Sequence, residues 1–366
     1  MSTHQRFAVA DLHRFTNQVF EATGIPKEHA ADATDVLLYA NRRGVDTHGV
    51  RNLKSHYCRH LASGDYPREP NFQIVHETPV SARVDGGGGL GLAGASWAMR
   101  LAIQKAEQVG MAMVSMRNSY HYGAAGRYPW MALEHDMIGI SMTGRFSPAG
   151  EWVVVKPTFA GIPMFSTNPI AIGFPTDKEP PYVLDMATST VPFNRITMMA
   201  AAGQSIPLGW GTDVEGNPIT DPALVKQLHP LGGSREQGSH KGYGLSMMVE
   251  VMCALLSGAW DDGHPEDDRL AFDGYRQSTD GHFFAAIKVD AFRPLDEFKK
   301  GMDAMIQAIH AAPKEKGQER IYVAGEIEHE TELERQADGI PLPDTVIADL
   351  QELSEQYNVP MPEPVG

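Results

Sequence analysis

Six stretches of the chain carry residue types that can do chemistry. Arg42-Arg43-Gly44-Val45-Asp46-Thr47-His48-Gly49-Val50-Arg51 sets a histidine between a hydroxyl residue and a glycine, just past a predicted helix. An imidazole titrating near about 6.5 suits a proton shuttle, although such a histidine is also common as a surface or capping residue. Asn118-Ser119-Tyr120-His121-Tyr122-Gly123-Ala124-Ala125-Gly126-Arg127-Tyr128 puts His121 at the C-terminal end of a predicted strand, where α/β sheets bind ligands. The small residues after it admit a planar ring, and the same run also suits a helix-capping turn. Asp185, in Leu184-Asp185-Met186-Ala187-Thr188-Ser189, ends an apolar strand and needs a partner when desolvated. A histidine serves, because a carboxylate orients an imidazole and stabilises its protonated form; alternatively Asp185 caps the segment opening at Ala187. Lys241, in Gly238-Ser239-His240-Lys241-Gly242-Tyr243-Gly244-Leu245, offers a cation and free backbone donors before a long helix, an anion site for pyrophosphate or carboxylate. Ser166-Thr167-Asn168-Pro169-Ile170 and Ala324-Gly325-Glu326 complete the set, the last reading as a loop after extended Arg320–Val323.

The elements that must position these groups follow from periodicity. Leu12, Phe15 and Val19, then Ala33, Val36, Leu37 and Ala40 after Pro26, recur at helical spacing, and a third helix is expected over Leu53–Ala62. Asp65–Pro79, with three prolines, reads as a connector. Strands Ala82–Asp85, Ala112–Met116 and Ile138–Met142 alternate with helices Ala95–Val109 and Gly126–His135. Strands Ile170–Phe174, Tyr182–Met186 and His282–Val289 follow, with helices Tyr243–Ser257, Asp296–Ala311 and Pro343–Tyr357. The arrangement expected is a central α/β domain over 80–295, flanked by a helical domain built from both ends of the chain, 1–79 and 296–366. Gly89, Gly91 and Gly94 fit G-x-G-x-x-G literally, but the next strand ends in Arg117-Asn118-Ser119 with no acidic residue for a ribose. The run is read as a tight turn that lets a helix pack on the sheet.

Composition narrows the classes. The chain has 366 residues, 46 acidic against 31 basic side chains, a formal net charge of −15 and 42% apolar residues, so disorder is disfavoured. The charge, with no Lys/Arg run longer than two, argues against nucleic acid as a partner. Cys58 and Cys253 are too few for a disulfide framework or a thiolate metal site, which points to a reducing compartment. Met1–Gln5 lacks a secretory pattern, and the longest apolar stretch, Leu245–Trp260, is interrupted by Glu250 and shorter than a membrane span. A soluble, cytoplasmic protein is expected.

Taken in order, D-T-H-G, N-S-Y-H-Y-G-A-A-G, T-N-P-I-A-I-G-F-P, L-D-M-A-T-S, H-K-G-Y-G-L and A-G-E…G-I-P-L resemble the malate/L-lactate/ureidoglycolate dehydrogenase family from Arg42 to Leu342. The resemblance implies a non-Rossmann α/β (α+β) fold, a homodimer, and hydride transfer between NAD(P) and C2 of a small 2-hydroxy or 2-oxo acid, with NAD(H) favoured. It implies His48 as proton carrier, Asp185 as its partner, and His121 as a second active-site histidine that polarises the oxygen or supplies the proton. Thr47, Arg51, Asn52 and Tyr57 would meet the substrate. Arg145, Thr167, Asn168, Pro169, Asp185, Met186, Ala187, Thr188, His240, Lys241, Gly242, Gly325 and Glu326 would meet the cofactor, and no metal is required. Three departures stand out: Thr47 replaces the usual serine; Arg51 is three residues past His48 where the family has an arginine at four, Asn52 here; and the following helix is one residue longer. Thr143-Gly144-Arg145-Phe146-Ser147-Pro148 carries a cation where relatives have an uncharged run, able to meet a cofactor phosphate or a second substrate anion. Three alternatives are a reductase of a cyclic imino acid or diketo-sugar acid, an inactive small-ligand-binding homologue, and a metal hydrolase on His56 and His60. The last pair is read as a solvated helix face.

Overall fold

The computed structural model describes residues 5–147, 150, 153–259 and 280–365. Met1–His4, Pro148 and Trp260, which the sequence reading touched, lie outside them. A short strand, β1 (Gln5–Phe7), leads into α1 (Val9–Ala22) and α2 (Lys27–Arg42), whose buried faces carry the residues that the helical spacing singles out. Short 3-10 turns at Asp46–His48 and Val50–Asn52 then run into a π turn over Leu53–Cys58 and α3 (Arg59–Ser63). The helix expected over Leu53–Ala62 thus opens with a π turn, which has room for one residue more than an α-helical turn. An added residue in a plain α-helix would rotate everything downstream by about 100°.

Next come β2 (Gln73–Thr78), β3 (Ser81–Gly89), α4 (Gly91–Val109), β4 (Met111–Ser119), α5 (Arg127–Leu133), β5 (Met137–Gly144), β6 (Ile170–Phe174) and β7 (Tyr182–Met186). They are followed by α6 (Phe193–Ala201), β8 (Gly211–Thr212), β9 (Gln227–Leu228), α7 (Ser239–Glu250) with a π turn over Val251–Leu255, and β10 (Asp280–Lys288). The chain closes with α8 (Leu295–Ala311), α9 (Glu326–Asp338), β11 (Ile340–Leu342) and α10 (Asp344–Tyr357).

Among the described residues, seven strands form one mixed sheet in the order β2-β3-β4-β10-β5-β6-β7. Only β3 and β4, joined by α4, run parallel; every other neighbour is antiparallel. A doubly wound dinucleotide fold needs parallel strands on both sides of its switch point, and the other neighbour of β3 is the antiparallel edge strand β2, so the glycine run serves packing instead. A Cβ on Gly91 would stand 2.0 Å from the Tyr120 carbonyl oxygen, and one on Gly94 2.7 Å from Met116 Cε. Glycine there lets α4 sit directly on β4. The central strand, β10, buries His282, Phe283, Phe284, Ala285 and Ala286. Phe284 joins the main core with Val114 and Tyr128, while Phe283 packs with Met142, Val249 and Cys253 beneath α7.

The two ends of the chain meet: β1 pairs antiparallel with β11, α1 packs on α10 and α2 on α9. The main core runs without a break from Phe7 and Leu12 through Val114 to Leu350, so these helices are fused to the sheet. Residues expected within one central domain also build a small separate core from Val155, Phe165, Ile196, Ile206, Val225 and Leu228. Besides the short strands β1, β8, β9 and β11, three elements depart from expectation. The supposed connector contains β2, an edge strand so exposed that it shows no apolar alternation. Helix α6 lies in a stretch that the sequence reading leaves unassigned. Helix α9 is polar nearly all round, with only Glu326 and Arg335 buried, and so lacks the stripe that marks a helix. No helix among the described residues is long and apolar enough to cross a membrane.

Candidate active site

His48 ends a turn that is fixed from both sides. Asp46 accepts Arg335 Nη1 at 2.6 Å and Nη2 at 2.8 Å, and Asn41 Nδ2 donates to the same carboxylate at 2.8 Å. Asn41 Oδ1 accepts the Val50 N–H at 2.8 Å, and a Cβ on Gly49 would lie 2.2 Å from that oxygen, so only glycine lets the amide tuck in. The Thr47 hydroxyl lies 2.9 Å from His48 Nδ1, and Asn52 Nδ2 donates to the Thr47 carbonyl at 2.8 Å. Thr47 and Asn52, expected at the substrate, thus hold His48 in place. Burial lowers the His48 pKa, and the Arg51 charge lowers it further.

His121 follows β4 and stacks on His48, with ring centroids 5.7 Å apart and planes 18° from parallel. Tyr57 is fully buried, with its hydroxyl 2.8 Å from His121 Nδ1. Burial pushes the Tyr57 pKa well above its ordinary value, so the phenol keeps its proton. That proton has His121 Nδ1 as its sole hydrogen-bond partner among the described residues, which leaves the imidazole hydrogen on Nε2. Tyr57 therefore orients His121; it is not a surface presented to substrate. Burial, then His48, His56, His282 and Arg145, hold His121 well below the usual histidine range.

The expected His48–Asp185 pair is not formed. Asp185 accepts the Gly126 N–H, at the start of α5, with Oδ2 at 2.7 Å, and it makes no hydrogen bond or ion pair with either imidazole. A carboxylate at a helix N-terminus already has its favourable partner, and a neutral His48 lacks the charge to draw it away. Crowding by protein pushes the Asp185 carboxyl up to about 6, yet its side chain remains open to solvent, the mark of a group on a crevice wall.

The stretches assigned to the cofactor converge on one another. The Thr188 N–H donates to the Thr167 carbonyl at 2.9 Å, and its hydroxyl meets the Asn168 carbonyl at 3.0 Å and Ser246 Oγ at 2.8 Å. Asn168 Nδ2 donates to the Ser246 carbonyl at 3.1 Å and to Glu250 Oε2 at 2.9 Å. The Val183 N–H donates to the Ala324 carbonyl at 3.1 Å, which brings the Ala324-Gly325-Glu326 turn to β7. The side chains of Asn168 and Thr188 are spent in this network. Gly242 and Gly325 are glycine because a Cβ would strike the Leu231 backbone at 2.3 Å and Val183 N at 2.9 Å. Glu326 is buried against His310 and Arg320 and accepts the Val323 N–H at 3.0 Å. What remains reachable is Thr167, Pro169, Met186, Ala187, His240 and Lys241, together with Asp185 and Arg145. Lys241 has no anionic partner among the described residues, and a Cβ on Gly244 meets only open space. A free cation beside an uncapped helix start and open room suits the phosphates of a dinucleotide.

Four residues singled out in the sequence have surroundings of their own. His56 is not on a solvated face: its ring packs edge-on against Tyr57 at 4.9 Å and His121 at 5.3 Å, and burial pulls its pKa to about 4. His60 packs edge-on against His56 with centroids 5.4 Å apart, its Nδ1 is 2.7 Å from Asp65, and no group of three metal-ligating side chains converges among the described residues. Arg51 is exposed, in a recess with Asp46, Leu342 and Thr345. Arg145 lies at the end of β5, paired through Nε with Asp280. No role was legible in the sequence for Asn41, Arg335, Glu250 or, within D-T-H-G, for Asp46. Of these only Glu250 left a signal, a lone carboxyl in an apolar helix; burial pushes it up to about 7.

Facing imidazoles can pass a proton and a free lysine can take a phosphate, which suits an oxidoreductase that works with a phosphate-bearing cofactor, and comparison with known proteins gives the class as one acting on the CH–OH of 2-hydroxy acids. Residues 7–351 match the malate/L-lactate dehydrogenase family, and the chain belongs to it. The family implies a nicotinamide cofactor. Malate dehydrogenase of Pyrococcus horikoshii is 38% identical over 352 residues, 95% of this chain and 94% of that protein. The crystal structure of malate dehydrogenase from Entamoeba histolytica superposes with a TM-score of 0.89 at 37% identity, covering 98% of this chain and 100% of that one. The Δ1-piperideine-2-carboxylate reductase of Pseudomonas syringae superposes at 0.79 with 27% identity, covering 95% and 99%.

Proposed function

We propose that the protein interconverts a small 2-hydroxy acid of the malate, lactate, ureidoglycolate or sulfolactate kind and its 2-oxo acid, with NAD(H) preferred to NADP(H). The observation that carries this reading is the stacked pair of imidazoles, each with a different hydroxyl on Nδ1. Bound nicotinamide supplies or takes the hydride at C2. His121, its tautomer set by Tyr57, donates from Nε2 to the C2 oxygen and polarises it. His48 moves the proton, because the Thr47 hydroxyl can give to or accept from Nδ1 and so tolerates either state of Nε2. Burial keeps His48 neutral at pH 7, ready as the base in oxidation, and reduction gains as the pH falls.

Asp185, Met186, Ala187, Thr167, Pro169, His240 and Lys241 form the cofactor side, with Asn168, Thr188, Gly242, Gly325 and Glu326 bracing it. An apolar stripe exposed on α7 and its π turn, Met247, Met248, Val251, Leu255 and Leu256, supports a homodimer. The protein works in the cytoplasm, without nucleic acid or membrane as partner. A second reading, reduction of a cyclic imino acid with NADPH, is favoured by the likeness to the piperideine-carboxylate reductase. A panel of 2-oxo and cyclic imino acids with NADH and NADPH, followed by nicotinamide absorbance, tests both. Turnover of a 2-oxo acid, faster with NADH, is expected; turnover of imino acids alone selects the second reading, and no turnover at all rejects both.

A further inference from the structure

We infer that Arg145, not Arg51, is the cation that grips the substrate carboxylate, so that the site selects 2-oxo compounds ionised next to the reacting carbon; this rests on the reading above. Arg145 is held at two points: its backbone N–H donates to Asn168 Oδ1 at 3.3 Å, and its Nε donates to Asp280 Oδ1. Neither Nη1 nor Nη2 has an acceptor among the described residues, on a side chain 28% exposed. An anchored guanidinium with an open terminal fork presents two parallel N–H groups, the arrangement that a carboxylate accepts bidentately.

The surroundings suit an incoming anion. The Arg145 charge is felt at His121 and His56, both held neutral by burial, and Tyr66 and Tyr120 lie within its field. No carboxylate other than Asp280 is paired with it among the described residues. Arg51 is exposed in the recess with Asp46, and although its charge reaches His48, a solvated guanidinium holds a carboxylate weakly. A 2-oxo acid gripped at Arg145 has its reacting carbon, C2, one bond from the held carboxylate, and the Arg145 charge that reaches His121 places the two groups at one site.

The test compares wild type, Arg145→Gln, Arg145→Lys and Arg51→Gln with pyruvate, oxaloacetate and the neutral methyl pyruvate, and measures the Kd of NADH and NADPH by fluorescence. Loss of a charge-assisted pair corresponds to about 10- to 100-fold in KM. Arg145→Gln is expected to raise the KM of the acids by that factor, to leave methyl pyruvate and both cofactor Kd values within about twofold, and so to abolish the preference for acid over ester. Arg145→Lys, which keeps the charge beside Asp280 but not the fork, should fall between, guarding against a folding defect. A KM rise confined to Arg51→Gln, or a Kd rise for NADPH with unchanged KM in Arg145→Gln, overturns the inference. Wild type inert towards every 2-oxo acid overturns the functional reading instead.

Discussion

The imidazole wall and the Lys241 turn are built on opposite plans. At the first, His121 meets a buried hydroxyl, His48 meets Thr47, and the turn beneath is locked by Asn41, Asp46 and Arg335. At the second, Lys241 has no anionic partner among the described residues and the polar bonds lie behind it, in Thr188, Asn168 and Ser246. Moving a proton demands a fixed tautomer and a fixed line of approach, whereas holding a phosphate needs only a cation and backbone dipoles. Order is invested where direction matters.

Substitutions should break that contrast unequally. His48→Ala should cost the most, about 10²–10⁴-fold in kcat, with NADH binding retained; steady-state rates and fluorescence titration read the two, and an unchanged kcat removes His48 from the chemistry. Tyr57→Phe frees both tautomers of His121 and should lower kcat by about tenfold with the cofactor Kd intact. An equal loss in Kd would mean that the hydroxyl only holds the fold. Lys241→Ala should weaken NADH binding by about three- to tenfold, an effect that shrinks with added salt; a salt-independent Kd contradicts a phosphate role.

The smallest expected effect is on stability. Burial lowers the pKa of His29, His48, His56, His121, His229 and His282, so the folded state binds fewer protons than the unfolded chain. Their contribution is present above about pH 6.5 and lost as the pH falls towards 4. Asp185 and Glu250, raised to about 6 and about 7, act in the opposite sense over the same range but are fewer. The melting temperature should therefore fall between pH 7 and 5; a rise would show that the carboxyls dominate.

How much of this was legible depended on whether the information was local. Strands β6 and β7 coincide with the apolar runs Ile170–Phe174 and Tyr182–Met186, and α1 with the spacing of Leu12, Phe15 and Val19. His48, His121 and Lys241 stood out by residue type within small-residue turns. What escaped were polar pairings between distant parts of the chain: Arg335 to Asp46 across 289 residues, Tyr57 to His121 across 64, and Gly126 to Asp185 across 59. Such partners leave no periodic trace, because one charge or hydroxyl is chosen by its three-dimensional neighbour alone. Helix α9 was lost for the same reason, its task being to deliver Arg335 beneath the His48 turn.

The widened turn at Leu53–Cys58 has an evolutionary meaning. Because it stores one surplus link while keeping the phase of the flanking coil, a lineage can gain or shed a residue there and leave Tyr57 against its imidazole.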